Sequence, residues 1–81
     1  MTVCVLIFAH LKSVLGADAL TLSQPEGATV RDLLHQLQEV YPALTPWLES
    51  TRVAVNREYA TLDTLLHHGD EVALIPPVSG G

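Results

Sequence analysis

The stretch Gly69–Gly81, G-D-E-V-A-L-I-P-P-V-S-G-G, decides how the rest of the chain can be arranged. Its middle, Glu71–Ile75, is an apolar run of strand length that follows a Gly-Asp turn. Pro76 and Pro77 end that strand, because neither has an N–H to donate to a sheet and both fix φ. The sequence therefore predicts a strand followed by a stiff, extended segment that leaves the sheet.

The segment after the prolines is short and made of small residues: Val78 and Ser79 lead to Gly80 and Gly81. Because glycine lacks a Cβ atom, such an end can enter a channel too narrow for other residues. A C-terminal carboxylate is ionised at neutral pH and is a poor electrophile until another enzyme converts it, with ATP, to an acyl adenylate. A lysine would then give an isopeptide link, and a persulfide sulfur a thiocarboxylate. We therefore interpret the tail, residues 76–81, as a carried acyl group.

Length, charge and cysteine content narrow the class of protein. A chain of 81 residues allows one small domain, near the lower limit for a self-sufficient core. Nine acidic against four basic residues, a net charge of −5, argue against a nucleic-acid partner. No stretch has the length of a membrane span or the features of a signal peptide, and a single cysteine suits a reducing compartment. We expect a cytoplasmic protein that binds neither nucleic acid nor membrane.

The first predicted strand, Thr2–His10, is apolar on both faces. Alternate residues share a face: Val3, Val5, Ile7 and Ala9 on one, and Cys4, Leu6 and Phe8 on the other. One face must pack on a helix, and the other is then either part of a two-sided core or covered by another chain. The alternation of side chains alone does not say which face is the inner one. We interpret Cys4 as a buried structural residue, because an apolar strand lacks the electropositive surroundings of a reactive thiol.

One helix is predicted from Val30 to Tyr41. Thr29 is a suitable N-cap, Asp32 is a short version of the capping-box acid, and Pro42 marks the end. One continuous apolar stripe follows the helical period: Val30, Leu33, Leu34, Leu37, Val40 and Tyr41. We expect this stripe to pack on the sheet.

The remaining segments are shorter. We predict a turn over Leu11–Ala17, strands over Asp18–Leu22 and Arg52–Asn56, a short segment over Glu58–Ala60 that follows a turn, a loop with a helical turn over Ala43–Ser50, and a brief helical turn over Thr61–Leu66. Trp47 and Leu48 are expected to close one end of the core. His67 and His68 match no zinc pattern and supply too few ligands for a closed site, so we predict no metal.

Strand, strand, helix, strand, short segment, strand is the order of a β-grasp fold, an α+β architecture in which a mixed sheet wraps over one main helix. The two terminal strands would lie side by side and parallel in its centre. This divides the chain into a globular domain, residues 1–75, and a tail, residues 76–81, at an edge of the sheet. A ferredoxin of this fold is excluded because an iron–sulfur cluster needs four cysteine ligands.

Three motifs carry a resemblance to a known family. The ending D-E-V-A-L-I-P-P-V-S-G-G, V-L-I-F-A-H-L at Val5–Leu11 and A-V-N-R at Ala54–Arg57 together resemble the small, sulfur-carrying subunit of molybdopterin synthase, the MoaD type of ubiquitin-like protein. The double proline before V-S-G-G is the specific part. A terminal Gly-Gly alone would equally fit carriers for thiamin synthesis or tRNA thiolation, and ubiquitin-like modifiers.

The resemblance implies a mechanism and partners. Gly81 would be adenylated by an activating enzyme that uses ATP and then converted to a thiocarboxylate. The tail would enter the active site of the large subunit of molybdopterin synthase, in a heterotetramer, and give sulfur to a cyclic pyranopterin. The large subunit would supply the catalytic groups, so this chain would not be an enzyme on its own and would bind no cofactor.

The resemblance also assigns roles to residues. Gly81, with Gly80, would carry the chemistry, and four residues would position the tail: Pro76, Pro77, Val78 and Ser79. Val3, Val5 and Ile7 would face the core, which leaves Phe8, Ile75 and Tyr59 on the outer face as the docking surface, with Lys12 near the partner. A non-covalent binding module is the alternative from a different class, and it would tolerate loss of Gly81.

Overall fold

The structure, a computed structural model, describes residues 1–76. Five strands are formed in chain order: β1 (Thr2–Ile7), β2 (Ala19–Ser23), β3 (Arg52–Val55), β4 (Glu58–Tyr59) and β5 (Glu71–Ile75). Three α-helices join them: α1 (Leu11–Leu15), α2 (Val30–Val40) and α3 (Thr45–Leu48), with a 3₁₀ turn at Pro42–Leu44. The predicted bounds of β5 are confirmed, and those of β2, β3 and α2 differ by a single residue at one or both ends. The segment predicted only as short, Glu58–Ala60, contains the two-residue strand β4.

The strands form one mixed sheet in the order β2-β1-β5-β3-β4. β1 and β5 are parallel, with Val5 opposite Val72, and every other neighbouring pair is antiparallel. The predicted β-grasp arrangement, with the two terminal strands adjacent and parallel, is confirmed. β5 is the central strand, so Pro76 follows the middle of the sheet rather than an edge strand.

The core lies between one face of the sheet and α2. Val3, Val5 and Ile7 of β1 are buried there, as are Val72 and Leu74 of β5. Residues of the helices complete the cluster: Leu11, Val30, Leu33, Leu37 and Leu44. The inner face of β1 is therefore the one that the resemblance implied, and the opposite face is left for other contacts.

The capping box predicted for α2 is present. The Thr29 Oγ1 atom accepts a hydrogen bond from the Asp32 backbone N–H, and Asp32 Oδ2 accepts one from the Thr29 N–H at 2.9 Å. These two bonds satisfy N–H groups that have no partner inside the helix. The apolar stripe differs from prediction at its end, because Val40 is 55% exposed. Val40 is the last residue of α2, and the chain turns at Tyr41 and Pro42 directly after it.

The capping box predicts a pH dependence of stability. The Thr29 backbone N–H, followed by the Thr29 side chain, lowers the pKa of Asp32 below 3.8. A lowered folded-state pKa gives stability that is present above the unfolded pKa, about 3.9, and is lost as pH falls through the folded pKa. We expect the difference in free energy of unfolding between the wild type and Asp32→Asn to narrow below about pH 4. Denaturant unfolding across pH measures this difference, and a constant difference would contradict the assignment.

β1 is shorter than predicted, and a helix replaces the predicted turn after it. The strand ends at Ile7 because Ala9 has a positive φ of 55°, which turns the chain out of the extended conformation. α1 then buries Leu11 in the core. Gly16 ends this helix in the left-handed region, with φ 73°, and its N–H donates to the Lys12 carbonyl.

Two further segments correct the sequence interpretation. Trp47 does not close the core: it remains 36% exposed, and its ring lies 4.3 Å from that of His10, whereas Leu48 packs on the core as expected. Thr61–Leu66 forms a turn and an isolated bridge to Thr29 rather than a helical turn. The Val30 N–H donates to the Thr64 carbonyl, so this segment is held by the start of α2.

The β3–β4 hairpin turns through Asn56 and Arg57, both of which have positive φ, 50° and 72°. This pattern is that of a type I′ turn, which matches the twist of the two strands. Asparagine tolerates the left-handed region, whereas most other residues with a side chain, arginine among them, are strained there by about 1 kcal/mol. Glycine is favoured at the second position of such a turn, and Arg57 occupies that position here.

Replacement of Arg57 by glycine should stabilise the fold. Relief of the strain exceeds the added entropy of the unfolded chain, and we expect a gain of about 0.5 kcal/mol in the free energy of unfolding. Thermal or denaturant unfolding measures it. Asn56→Gly is the matched control, expected to lower stability because Asn56 makes two side-chain hydrogen bonds. Equal effects of the two substitutions would contradict the argument.

Candidate docking face and carrier tail

The outer face of the sheet follows from the pairing registers, because directly opposed residues point to the same side. Leu6 is opposite Ala73, Ala73 is opposite Ala54, and Ala54 is opposite Tyr59. Ile75 lies two residues beyond Ala73 and therefore shares this face. The face that α2 leaves uncovered is thus apolar from β1 across to β4.

These side chains line one shallow depression, called here the outer patch: Leu6, Phe8, Ala54, Tyr59, Ala73 and Ile75. Phe8 is 44% exposed and Tyr59 is 70% exposed, although both are large and aromatic. Aromatic side chains in such positions are typical of protein interfaces, where they supply most of the binding free energy. The predicted grouping of Phe8, Tyr59 and Ile75 on one outer face is confirmed, and their binding role stays a prediction.

Charged groups border the outer patch. Arg57 and Glu71 line its rim, and the Arg52 guanidinium carbon lies 5.8 Å from the centroid of the Tyr59 ring. A cation at that distance is attracted to the ring face, which orients the exposed tyrosine. The patch therefore has an apolar centre and a polar rim, the arrangement common in interfaces.

A hydrogen-bond network fixes the start of β5. Asp70 is buried and accepts bonds from Asn56 Nδ2 at 2.9 Å and from the His67 N–H at 2.7 Å. Asn56 Oδ1 in turn accepts from the Glu71 N–H at 3.0 Å. These bonds tie the turn of the β3–β4 hairpin to β5. Because the outer patch is built from both elements, the network keeps its two halves in register.

The predicted site residues other than Lys12 fall into three groups. Phe8, Tyr59 and Ile75 lie together in the outer patch. Pro76 follows β5 and is buried, so the first residue of the predicted tail packs against the fold. The other predicted tail residues lie outside the described residues: Pro77, Val78, Ser79, Gly80 and Gly81.

Lys12 is not one of the residues that line the outer patch. It lies on α1, half exposed, and its Nζ atom is 3.6 Å from Asp18 Oδ1. A surface ion pair of this kind contributes little to stability. Its predicted place near a partner stays a prediction.

The histidines and the cysteine have ordinary surroundings. His68 Nδ1 accepts from the Thr2 N–H at 3.1 Å, and His67 Nδ1 is 3.9 Å from Asp70 Oδ2. Within residues 1–76, no three side chains of metal-ligating type lie together. Cys4 is half-buried on the outer face rather than buried as predicted, because it lies on the side of β1 that no helix covers.

Several patch residues were not found from the sequence. Leu6 and Ala73 extend the patch between Phe8 and Tyr59, and Arg52 contacts the tyrosine. Parity within a strand indicated the face of Leu6. The face of Ala73, and of Arg52, depends on the register between strands, which a single sequence does not specify.

No helix in the part of the chain that the structure describes has the length and apolar character needed to cross a membrane.

The ThiS family matches this chain over residues 5–81. A molybdopterin synthase sulfur carrier subunit of Arabidopsis thaliana is 39% identical over 77 residues, which cover 95% of this chain and 80% of that protein. A protein with the same name from Chlamydomonas reinhardtii is 40% identical and is covered completely, as is this chain.

Solved structures are similar in fold over the full chain. The crystal structure of SAMP1 from Haloferax volcanii has a TM-score of 0.89 and 34% identity, with all of both chains covered. A chain from the complex of subunits 1 and 2 of the molybdopterin-converting factor from Helicobacter pylori has a TM-score of 0.77 and 30% identity, again with complete coverage.

Proposed function

Since this chain belongs to the ThiS family, we propose that it is the sulfur carrier subunit of a molybdopterin synthase. In this proposal Gly81 carries the sulfur as a thiocarboxylate and the outer patch binds the large synthase subunit. The acceptor is a cyclic pyranopterin. The chain would act in the cytoplasm and would bind neither membrane nor nucleic acid.

The observation that carries the proposal is the position of β5 relative to the outer patch. β5 is the central strand, Ile75 is both its last residue and part of the patch, and the tail follows directly. A partner that covers the patch would thus meet the tail at the edge of the contact. The likeness to a chain from a complex of subunits 1 and 2 of a molybdopterin-converting factor supports a partner subunit for this chain.

The proposed chemistry has two activation steps before transfer. The Gly81 carboxylate attacks the α-phosphorus of ATP on the activating enzyme, which gives an acyl adenylate and releases pyrophosphate. In the second step the terminal sulfur of a donor persulfide attacks the carbonyl carbon, and AMP leaves with the bonding electrons. A thiol then cleaves the resulting acyl disulfide: it forms a disulfide with the donor's sulfur and releases the thiocarboxylate. The resulting thiocarboxylate is the form that enters the large subunit. Gly80 and the residues Pro76, Pro77, Val78 and Ser79 guide the tail into that site.

In this proposal the acids and bases of sulfur transfer belong to the large subunit. Among residues 1–76, no serine or cysteine side chain is hydrogen-bonded to a histidine. In this proposal the carrier acts through its tail and its docking face, and binds no cofactor. The activating enzyme uses ATP. Lys12 lies near the partner in this proposal and has a minor role.

Intact-mass spectrometry tests the proposal. The protein is co-expressed with an activating enzyme and a sulfur source, and fragmentation locates any mass change. We expect one oxygen at Gly81 to be replaced by sulfur, and the loaded protein to transfer that sulfur to cyclic pyranopterin when the large subunit is added. Pull-down of a thiazole synthase or a tRNA thiolase in place of the large subunit would move the assignment to thiamin synthesis or tRNA thiolation.

A second candidate is a ubiquitin-like protein modifier. Small archaeal modifier protein 1 of Haloferax volcanii is 36% identical over 83 residues, covering 93% of this chain and 95% of that protein. The same acyl adenylate would then be attacked by a lysine amine of a target protein. If the chain is a protein modifier, immunoblots of the cells that produce it should show lysine-linked adducts. An absence of adducts together with sulfur at Gly81 would favour the carrier.

A further inference from the structure

The two edges of the sheet are protected to different degrees. At one edge, β4 has only two residues, one of which is the charged Glu58, and Arg57 precedes it. At the other edge, β2 has five residues, A-L-T-L-S, with no charge and no proline. Native proteins usually block a free strand edge with charges, prolines, bulges or very short strands. β2 has none of these features.

The hydrogen bonds to β1 identify which groups of β2 point outward. The Ile7 N–H donates to the Asp18 carbonyl, and the Gln24 N–H donates to the Met1 carbonyl. Because alternate residues of an antiparallel strand face the same neighbour, Leu20 and Leu22 also bond to β1. The backbone groups of three residues therefore face the free edge: Ala19, Thr21 and Ser23. Among the described residues, one hydrogen bond reaches these edge-facing groups: the Gln24 side-chain amide donates to the Ser23 carbonyl.

The sequence of β2 is complementary to itself in the antiparallel direction. A two-fold axis at Thr21 places Thr21 opposite Thr21 of the second copy, and Ala19 opposite the second copy's Ser23. This register forms about six backbone hydrogen bonds. Both Ser23 carbonyls retain a second lone pair for their bond. Opposed threonines stabilise an antiparallel pair, and no like charges face each other because Asp18 lies opposite Gln24 of the second copy.

The side chains next to the free edge also favour a second copy. Leu20 and Leu22 point to the inner face and are only partly buried against the core. In the two-fold register Leu20 approaches Leu22 of the second copy, which would cover both. Three residues have backbone groups that face the free edge, and their side chains are small and exposed: Ala19, Thr21 and Ser23. They leave room for a second copy to approach this edge.

We propose that two copies of this chain associate through antiparallel pairing of β2, with Thr21 on the two-fold axis. A single strand-to-strand contact buries less than the about 1,600 Å² of a standard interface, so the dimer is weak and reversible. Each copy carries a charge of −5, so added salt strengthens it. β2 lies at the edge opposite β3 and β4, and the pairing leaves the outer patch open. The proposal is independent of the proposed function.

Site-specific crosslinking tests the pairing. Cys4 lies opposite Thr21 in the β1–β2 pair, so the variants are made in a Cys4→Ser background. A short bis-maleimide should crosslink Thr21→Cys on the order of tenfold faster than Ser13→Cys, an exposed position on α1. A mixture of Ala19→Cys and Ser23→Cys should crosslink faster than Ala19→Cys alone. Equal rates for Thr21→Cys and Ser13→Cys, or for the mixture and Ala19→Cys alone, would overturn the proposal.

A second measurement needs no added cysteine. Thr21→Lys places two like charges opposite each other on the axis, whereas Ser13→Lys changes the net charge equally and away from β2. In sedimentation velocity at high protein concentration and moderate salt, we expect a dimer fraction for the wild type and Ser13→Lys, and its loss for Thr21→Lys. A dimer that survives Thr21→Lys, or a wild type that stays monomeric, would overturn the proposal. Circular dichroism checks that each variant is folded.

Discussion

Extension of the chain by one residue beyond Gly81 is expected to abolish sulfur loading and sulfur transfer while the fold is unchanged. The extension turns the Gly81 carboxylate into an amide, which cannot form an adenylate. The new carboxylate is displaced by up to about 3.5 Å, and an error of only 1 Å at a reacting centre can cost about 100-fold in rate. An added side chain would also not fit a channel narrow enough to admit glycine alone. Intact mass and a single-turnover transfer assay measure both losses.

The control for this experiment restores the native end. An extension that a site-specific protease removes after Gly81 should recover loading in proportion to cleavage. Thermal unfolding of the extended and native proteins should coincide, because residues 1–76 hold the core. Sulfur transfer by the extended protein, with the extension still attached at the end of the assay, would contradict the tail mechanism. Retained binding to the large subunit would show that the docking face acts separately from the tail.

The fold was largely predictable because local and tertiary signals agree in this chain. Thr29 and Asp32 form the predicted capping box, and the apolar run of β5 has the predicted bounds. Alternation in β1 showed two apolar faces but not which one faces the core. The side of the sheet on which α2 packs decides that question, and the resemblance implied that side.

The errors come from effects that a local pattern does not contain. β1 ends at Ile7 because Ala9 adopts a positive φ, which nothing in the composition of an apolar run indicates. Trp47 is of a residue type that usually packs in cores, yet it remains partly exposed and its ring lies against that of His10. Val40 follows the helical period of α2, but it is the last residue of the helix and remains exposed. In each case tertiary geometry overrides the residue's intrinsic preference.

The chemistry of the candidate site was predictable from the sequence, but the full set of residues that form it was not. The tail motif and the aromatic residues were visible in the sequence, as was the interruption of β5 by proline. The rim residues Arg57 and Glu71, and the network centred on Asp70, depend on the register of the β3–β4 hairpin relative to β5. One residue of slippage of the hairpin would move its patch residues, Ala54 and Tyr59, to the other face, and register is set by the whole sheet.

Truncation of Phe8 to alanine is expected to weaken binding to the large synthase subunit by at least about 30-fold, or about 2 kcal/mol. Phe8 is an aromatic side chain within the outer patch, where Leu6 and Ile75 flank it and a partner would exclude water from it. Such residues supply a large share of binding free energy, and their loss acts mainly on the dissociation rate. Surface plasmon resonance or calorimetry with the purified large subunit measures the change.

Leu62→Ala provides the matched control for this substitution. Leu62 is 45% exposed, almost the same as the 44% of Phe8, but it lies in the turn after β4 and outside the outer patch. Removal of either side chain should leave the unfolding transition nearly unchanged, because neither belongs to the buried core. Only Phe8→Ala should then lose affinity and, at limiting partner concentration, sulfur transfer. Equal losses for both variants would place the docking face elsewhere, and no loss for Phe8→Ala would remove the outer patch from the interface.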